Sequence, residues 1–224
     1  VPEPEAWMRR RKEPDAHENP FRAIFGPALV GRTIRIILLG SAVQFGYWGI
    51  FFWLPAFLAR PVEQGGAGLG VGSLWWIIPV QIGAYLGYLT FGFIADRLGR
   101  RTTFILFMVA AAALVPVYGQ MGANPAILLA MSPVLGYFGH GYFSMFGSFV
   151  AELFPTRVRA TGQGTSYNIG RMAGAVAPYA IGGLATLPGI GIGLAMAATS
   201  FFFLLAAVLI FTLPDRSGQA LDEN

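Results

Sequence analysis

Arg171 stands ten residues into a run that opens at Thr161 and is otherwise without charge, about 15 Å along a helix at a rise of roughly 1.5 Å per residue. A guanidinium is planar, permanently charged and forked, which is the chemistry that grips a carboxylate through two parallel hydrogen bonds. Asn168 lies one turn earlier and accompanies it. His140, flanked by Gly139 and Gly141, offers a group that donates to a ligand, relays a proton, or packs as a hydrogen-bonded histidine. Gln44 and Trp48 are four residues apart, as are Gln81 and Tyr85, so on helices each pair shares a face and joins an amide to an aromatic surface. An isolated cation with amides and aromatic rings suits an organic acid with an apolar body, although aromatic side chains in apolar helices also serve as packing. There are no cysteines, which excludes a disulfide framework and thiolate metal sites, and no metal or cofactor is expected.

The elements that must position these groups follow from composition. Of 224 residues 55% are hydrophobic and only 12% charged, against about 25% charged in globular domains, and the mean hydropathy is +0.59. Lipid is the solvent that such a surface fits. The apolar runs fall at about Thr33 to Leu58, Ser73 to Ala95, Thr103 to Met121, Ala126 to Ala151, Thr161 to Leu187 and Gly189 to Leu213, each near the roughly 20 residues that cross a bilayer. Short connections leave no room for a soluble layer, so each run is read as a spanning helix. At helical rise Gln44, Gln81, Tyr85, His140 and Arg171 all come near the midplane. A charge there costs at least about 2.5–3.5 kcal/mol and must face a cavity or a partner. No Asp or Glu lies well inside any run to neutralise it.

The expected organisation is a leading cytoplasmic segment over residues 1–32, a six-helix bundle over 33–213 and a cytoplasmic tail over 214–224. Of the 15 Lys and Arg residues, all but Arg60 and Arg171 fall in the leading segment and at its junction with the first run, in the loops after the second and fourth runs, or in the tail. Basic residues mark the cytoplasmic side, so both termini are expected there. The net charge of +4 is clustered between apolar runs, which argues against nucleic acid as its partner. The chain opens on Val1 and a charged segment, so a fragment without a cleavable leader is expected. Pro55, Pro79, Pro116, Pro133 and Pro178 fall within the runs, each removing a helical hydrogen bond, and Gly83 with Gly87 and Gly170 with Gly174 are spaced for close helix approach.

The turn after the second run reads Gly92-Phe93-Ile94-Ala95-Asp96-Arg97-Leu98-Gly99-Arg100-Arg101. Gly99 permits a tight turn, and an acid with three arginines holds two helix ends together by charge and dipole. It resembles the G-x-x-x-D-R-x-G-R-R signature of the major facilitator superfamily. Ala151-Glu152-Leu153-Phe154-Pro155-Thr156-Arg157-Val158-Arg159-Ala160-Thr161-Gly162 is similar to the element between the tenth and eleventh helices of sugar-porter-like and organic-acid symporter families. Val1-Pro2-Glu3-Pro4-Glu5-Ala6-Trp7 resembles the V-P-E-S-P-x-W element after the sixth helix, departing from it at Pro4-Glu5-Ala6. The run Gly162 to Arg171 looks most like carriers of sialic acid, lactate and aromatic acids that move with protons.

The resemblance implies an all-α membrane protein of six transmembrane helices, arranged as two inverted three-helix repeats, forming the carboxy-terminal half of a twelve-helix transporter in a bacterial inner membrane. Its expected activity is alternating-access transport of a small organic anion with proton coupling, the other six-helix half being its partner. A sugar or polyol carrier is the alternative within the superfamily. Arg171, Asn168, His140, Gln44, Trp48, Gln81 and Tyr85 are the expected substrate-binding residues, with an acid in the other half as the alternative partner for Arg171. Gly92, Asp96, Arg97, Gly99, Arg100, Arg101, Glu152, Arg157 and Arg159 are the expected cytoplasmic gate. Six spans and a histidine also outline an intramembrane hydrolase, but Gly147-Ser148-Phe149 lacks the intervening residue of a G-x-S-x nucleophile context. A half-size carrier working as a homodimer is a third reading.

Overall fold

The computed structural model describes residues 19–70 and 74–214; the Val1 to Trp7 element and most of the tail lie outside these described residues. Among the described residues nine of the ten α-helices make six crossings. A short α1 (Pro20–Ile24) precedes them, opened by Pro20 with the Asn19 side chain accepting from the Phe21 N–H at 3.0 Å. The first crossing is α2 (Val30–Phe51) continued by α3 (Leu54–Ala59). The second is α4 (Leu74–Leu98) and the third α5 (Arg100–Gln120). The fourth joins α6 (Pro125–His140) to α7 (Phe143–Glu152), the fifth is α8 (Arg159–Ala185), and the sixth joins α9 (Gly191–Ala197) to α10 (Ser200–Leu209).

Five of the crossings, Val30–Ala59, Trp75–Leu98, Arg100–Gln120, Pro125–Glu152 and Gly191–Thr212, are long and apolar enough to span a bilayer. The fifth apolar run read from the sequence is a helix, α8, but a less apolar one. Its 27 residues cover about 40 Å, with Gln163, Ser166, Asn168, Arg171 and several glycines along it. Side chains of this kind are tolerated at membrane depth when they face protein or a cavity.

The helices pack as two three-helix repeats. The most extensive contacts are α2 with α8 and α4 with α6, that is, the first crossing on the fifth and the second on the fourth. Exchanging the first three crossings for the last three converts one contact into the other. It likewise converts the contact of the first and sixth crossings into that of the fourth and third, and that of the fifth and sixth into that of the second and third. The third and sixth pack on each other. With three crossings in each repeat the fourth runs opposite to the first, so the two repeats are inverted in topology.

Bare backbone permits the two principal crossings. A Cβ on Gly83 would lie 1.8 Å from the Pro133 carbonyl oxygen, and one on Gly136 would lie 1.9 Å from that of Val80. On the other side a Cβ on Gly170 would meet the Gly40 carbonyl carbon at 2.9 Å. The spacing of Gly83 and Gly170 read from the sequence therefore marks real close approach. The prolines act less uniformly than expected: Pro79, Pro116, Pro133 and Pro178 sit inside unbroken helices. Only Pro55, at the start of α3, coincides with an interruption, where its missing N–H leaves the Phe51 carbonyl without an i+4 donor. The other interruptions, at Gly141 with Tyr142 and at Ala198 with Thr199, contain no proline.

These distances generate a contrast. Gly83→Ala forces two helices apart, and overpacking of this kind costs about 1–3 kcal/mol. Gly164→Ala adds a methyl that meets nothing within 4 Å. Thermal unfolding of the purified protein in detergent should show a lowered midpoint for the first and an unchanged or slightly raised one for the second.

Candidate functional site

Four crossings line an open cavity of about 510 Å³. From α2 come Gln44, Tyr47 and Trp48, which share a face through their spacing of three and four. α4 supplies Tyr88, α7 supplies Phe143, Phe146 and Gly147, and α8 supplies Gln163, Tyr167 and Arg171 at successive intervals of four. α5, α9 and α10 line none of it; they hold the other four crossings in place through buried rings such as Phe104, Phe107 and Phe203. Gln163 donates to the Gly147 carbonyl at 3.1 Å, tying α8 to α7 across one end of the cavity.

Arg171 is twelve residues into α8, about 18 Å along a helix of about 40 Å. It is exposed in this chain and, among the described residues, makes no hydrogen bond or ion pair. The nearest polar company in the cavity is neutral: two amides and three phenols, from Gln44, Gln163, Tyr47, Tyr88 and Tyr167. The arrangement is a fixed cation at mid-depth ringed by neutral hydrogen-bonding groups and aromatic faces.

Of the residues read from the sequence, the structure brings Arg171, Gln44 and Trp48 together in this cavity. His140 is buried one layer behind it. Its Nδ1 donates to the Gly136 carbonyl at 3.1 Å, and its ring packs on Phe51, with centroids 4.1 Å apart, and on Tyr47 at 5.1 Å. Tyr47 thus stands between His140 and the space. Gln81 and Tyr85 lie on an exposed stretch of α4 outside the lining; Tyr88, one turn beyond Tyr85, is what α4 contributes. Asn168 turns to the Gly164 carbonyl at 2.8 Å and borders a separate groove with Phe21 and Met172. Sequence reasoning missed Tyr47, Tyr88, Phe143, Phe146, Gly147, Gln163 and Tyr167. The signal for two of them was legible, since Gln163, Tyr167 and Arg171 are spaced by four. Ser148 and His140, the pair that a hydrolase needs in contact, are each bonded to a carbonyl of their own crossing.

At one end of the bundle the basic residues gather. Arg100, at the start of α5, forms an ion pair with Glu152 at the end of α7. Between them, Gly99 takes φ 86° and ψ 145°, a conformation that favours glycine, so the chain reverses between α4 and α5 without a spacer. Arg101 donates to the Leu213 carbonyl and lies over the Phe211 ring. Arg35 donates to the Thr212 carbonyl at 2.9 Å and Arg32 to the Leu153 carbonyl at 2.7 Å. Arg159 binds back onto its own turn, to the Ala151 carbonyl at 3.0 Å and the Thr156 hydroxyl at 3.0 Å. Gly92, Asp96, Arg97 and Arg157 are exposed. Among the described residues Asp96 makes no ion pair. Among the described residues this layer joins helix ends through arginines on carbonyls and through the pair of Arg100 with Glu152.

Six crossings in two inverted repeats, a cavity on the first, second, fourth and fifth, and a basic turn at one end define an integral membrane protein with half of a twelve-helix major facilitator fold. No family model matches the chain. It is 36% identical over 190 residues to a metabolite transport protein of Haemophilus influenzae, covering 85% of this chain and 45% of that protein. It is 29% identical over 213 residues to the cis,cis-muconate transport protein of Acinetobacter baylyi, covering 90% and 49%. A sialic acid transporter of Escherichia coli is 23% identical over 217 residues, covering 96% and 52%. The chain spans about half the length of the curated relatives it matches. It belongs to the major facilitator transporters, with the six helices of one half.

The ion pair at the basic end is open to water, with side chains 31% and 22% exposed. Partly exposed pairs contribute about 0–1 kcal/mol. A double-mutant cycle with Arg100→Ala and Glu152→Ala, read by unfolding in detergent, should give a coupling in that range.

Proposed function

We propose that this chain is the carboxy-terminal half of a secondary active transporter, not an enzyme, that moves a small organic anion, a carboxylate, by alternating access with proton coupling. The observation that carries the reading is Arg171: a cation at mid-depth, opening into a cavity and without a partner among the described residues. Such a charge requires compensation in hydrocarbon, and a substrate carboxylate supplies it in a form that the guanidinium fork matches. The names of the relatives support the class, since muconate and sialic acid are both carboxylic acids. Gln44 and Trp48 join Arg171 in contact with the substrate; His140 acts from behind Tyr47; Asn168, Gln81 and Tyr85 meet it only if the other six helices extend the site over their exposed faces.

In this reading residues 1–32 and 214–224 flank the bundle in the cytoplasm, and the protein resides in a bacterial inner membrane. The layer of Asp96, Arg97, Arg100, Arg101, Glu152, Arg157 and Arg159, with the turn glycines Gly92 and Gly99, is its cytoplasmic gate. The weak ion pair of Arg100 with Glu152 suits a contact that breaks in every cycle, since it tunes a balance between states and adds little to the fold. The amides and phenols of the cavity also suit a polyol, which would leave Arg171 idle. Its variants therefore separate the two readings.

Losing a charge-assisted hydrogen bond to a buried partner costs about 1.5–3 kcal/mol, roughly tenfold to more than a hundredfold in affinity. In the intact protein Arg171→Ala should lose that much affinity for benzoate while Arg171→Lys keeps a part of it, and neither should alter what weak affinity there is for benzamide. Unchanged benzoate binding by Arg171→Ala would leave a polyol, or an acid of the other half, as the better account. Sidedness is checked separately. Cysteines at Ala123 and Thr186 should label from outside the cell and one at Arg97 from inside; labelling of all three from one face would overturn the topology.

A further inference from the structure

Beyond Arg171 along α8, away from Gln163 and Tyr167, lies a second recess of about 700 Å³. Arg171 and Trp48 belong to both spaces. Its floor is bare helix. A Cβ on Gly174 would meet Trp48 Cδ1 at 2.8 Å, and one on Gly182 would meet Trp53 Cζ2 at 2.6 Å. Each indole therefore rests directly on the backbone of α8, two turns apart. Trp53 is fixed further: its Nε1 donates to the Pro178 carbonyl at 2.8 Å. The one polar atom of that ring is engaged with the backbone, so what it offers the recess is apolar surface. Ala175 stands one turn after Arg171 and one turn before Tyr179, a small residue between a cation and a ring.

We infer that this recess is a subsite for the flat apolar portion of the anion whose charged group is held by Arg171, and that Ala175 sets the room available to it. The inference rests on the carboxylate reading above and deepens it. A carboxylate on Arg171 sits at the junction of two spaces, and its body must enter one of them. In the first it would leave the amide of Gln44 and the phenols of Tyr47, Tyr88 and Tyr167 without partners, which desolvated polar groups resist. In the second it meets two indoles held on bare backbone, and flat rings pack well on such faces. The volume lies within the range of about 300–1,000 Å³ in which small molecules bind. A purely hydrocarbon occupant, such as a lipid chain, would strip water from the guanidinium at the mouth and give nothing in return; an anion with an apolar body satisfies both ends.

The test compares benzoate with lactate, two monocarboxylates of which one carries a ring, by equilibrium binding to the intact protein in detergent. The unaltered protein should bind benzoate at least tenfold more tightly. Ala175→Leu, which places a side chain in the recess, should lower benzoate affinity by tenfold or more and leave lactate within twofold. Ala175→Val fills less and should give a smaller loss for benzoate alone, which keeps the test open if the leucine variant does not fold. Arg171→Ala should weaken both ligands. Equal binding of benzoate and lactate by the unaltered protein, or parallel losses of both in the Ala175 variants, would overturn the subsite while leaving the carboxylate reading intact. Retention of both ligands by Arg171→Ala would overturn that reading instead.

Discussion

The contact of helix with helix through bare backbone is what the rest of this molecule depends on. Within hydrocarbon there is no hydrophobic gain in moving one apolar helix from lipid to protein, so association rests on close packing and on the few polar contacts available. Gly83 and Gly136 bring α4 and α6 to a distance at which a single methyl would strike a carbonyl, and Gly170 brings α8 so close to the Gly40 backbone of α2 that a methyl on it would strike there too. These two crossings are related by the exchange of the two repeats. Because each joins a helix of one repeat to a helix of the other, they fix how the repeats face one another. The cavity is bounded by these crossings, and its shape is a consequence of where side chains are absent as much as of where they are present.

Polar groups are distributed in accordance with the same solvent. The surface that α5, α10 and the 3-10 turn Ile210–Thr212 present outward carries Val109, Phe201, Val208 and Phe211, all exposed and apolar. α8 has instead amides, hydroxyls and a guanidinium, and it is packed against α2 and α7. Arginines at the basic end reach carbonyls that helix termini leave without intrahelical partners, as at Thr212, Leu213 and Leu153. Charge there serves to hold ends together in an aqueous layer. Arg171, the charge at depth among the described residues, has neutral neighbours instead, and the carboxylate proposed above would bring the compensating charge with it.

The interruptions at Phe52 and Trp53, at Gly141 and Tyr142, and at Ala198 and Thr199 divide the first, fourth and sixth crossings into segments. At the far end from the arginines, the loop after α3, with a 3-10 turn at Val62–Gln64, is tied back by the Ala67 N–H to the Phe57 carbonyl at 2.8 Å and by the Gly193 N–H to the Gly65 carbonyl at 3.2 Å. The short segment α3 is thus joined to α9 by backbone bonds and to α8 by the Trp53 indole. Its neighbour α2 keeps its cavity face on an independent, unbroken stretch.

Composition, periodic apolar runs and the placement of basic residues determined the six crossings, the basic end and the turn at Gly99, because hydrocarbon constrains every residue of a span in the same way and leaves a signal in each. The glycine spacings and the depth of Arg171 were legible for the same reason. Which side chains share a cavity was decided only by tertiary structure. Depth along a helix is a one-dimensional quantity that Gln81, Tyr85 and Asn168 satisfy as well as Gln44 does, and which turn of α4 borders the cavity, that of Tyr88 and not that of Tyr85, depends on where the other helices meet it. The rotation of α8 presents Tyr167 to the cavity and Asn168 to a different groove, one residue apart. His140 illustrates the limit most plainly: its depth was right for the cavity, but Phe51 and Tyr47, which belong to another helix, cover it, and no pattern within its own helix carries that information.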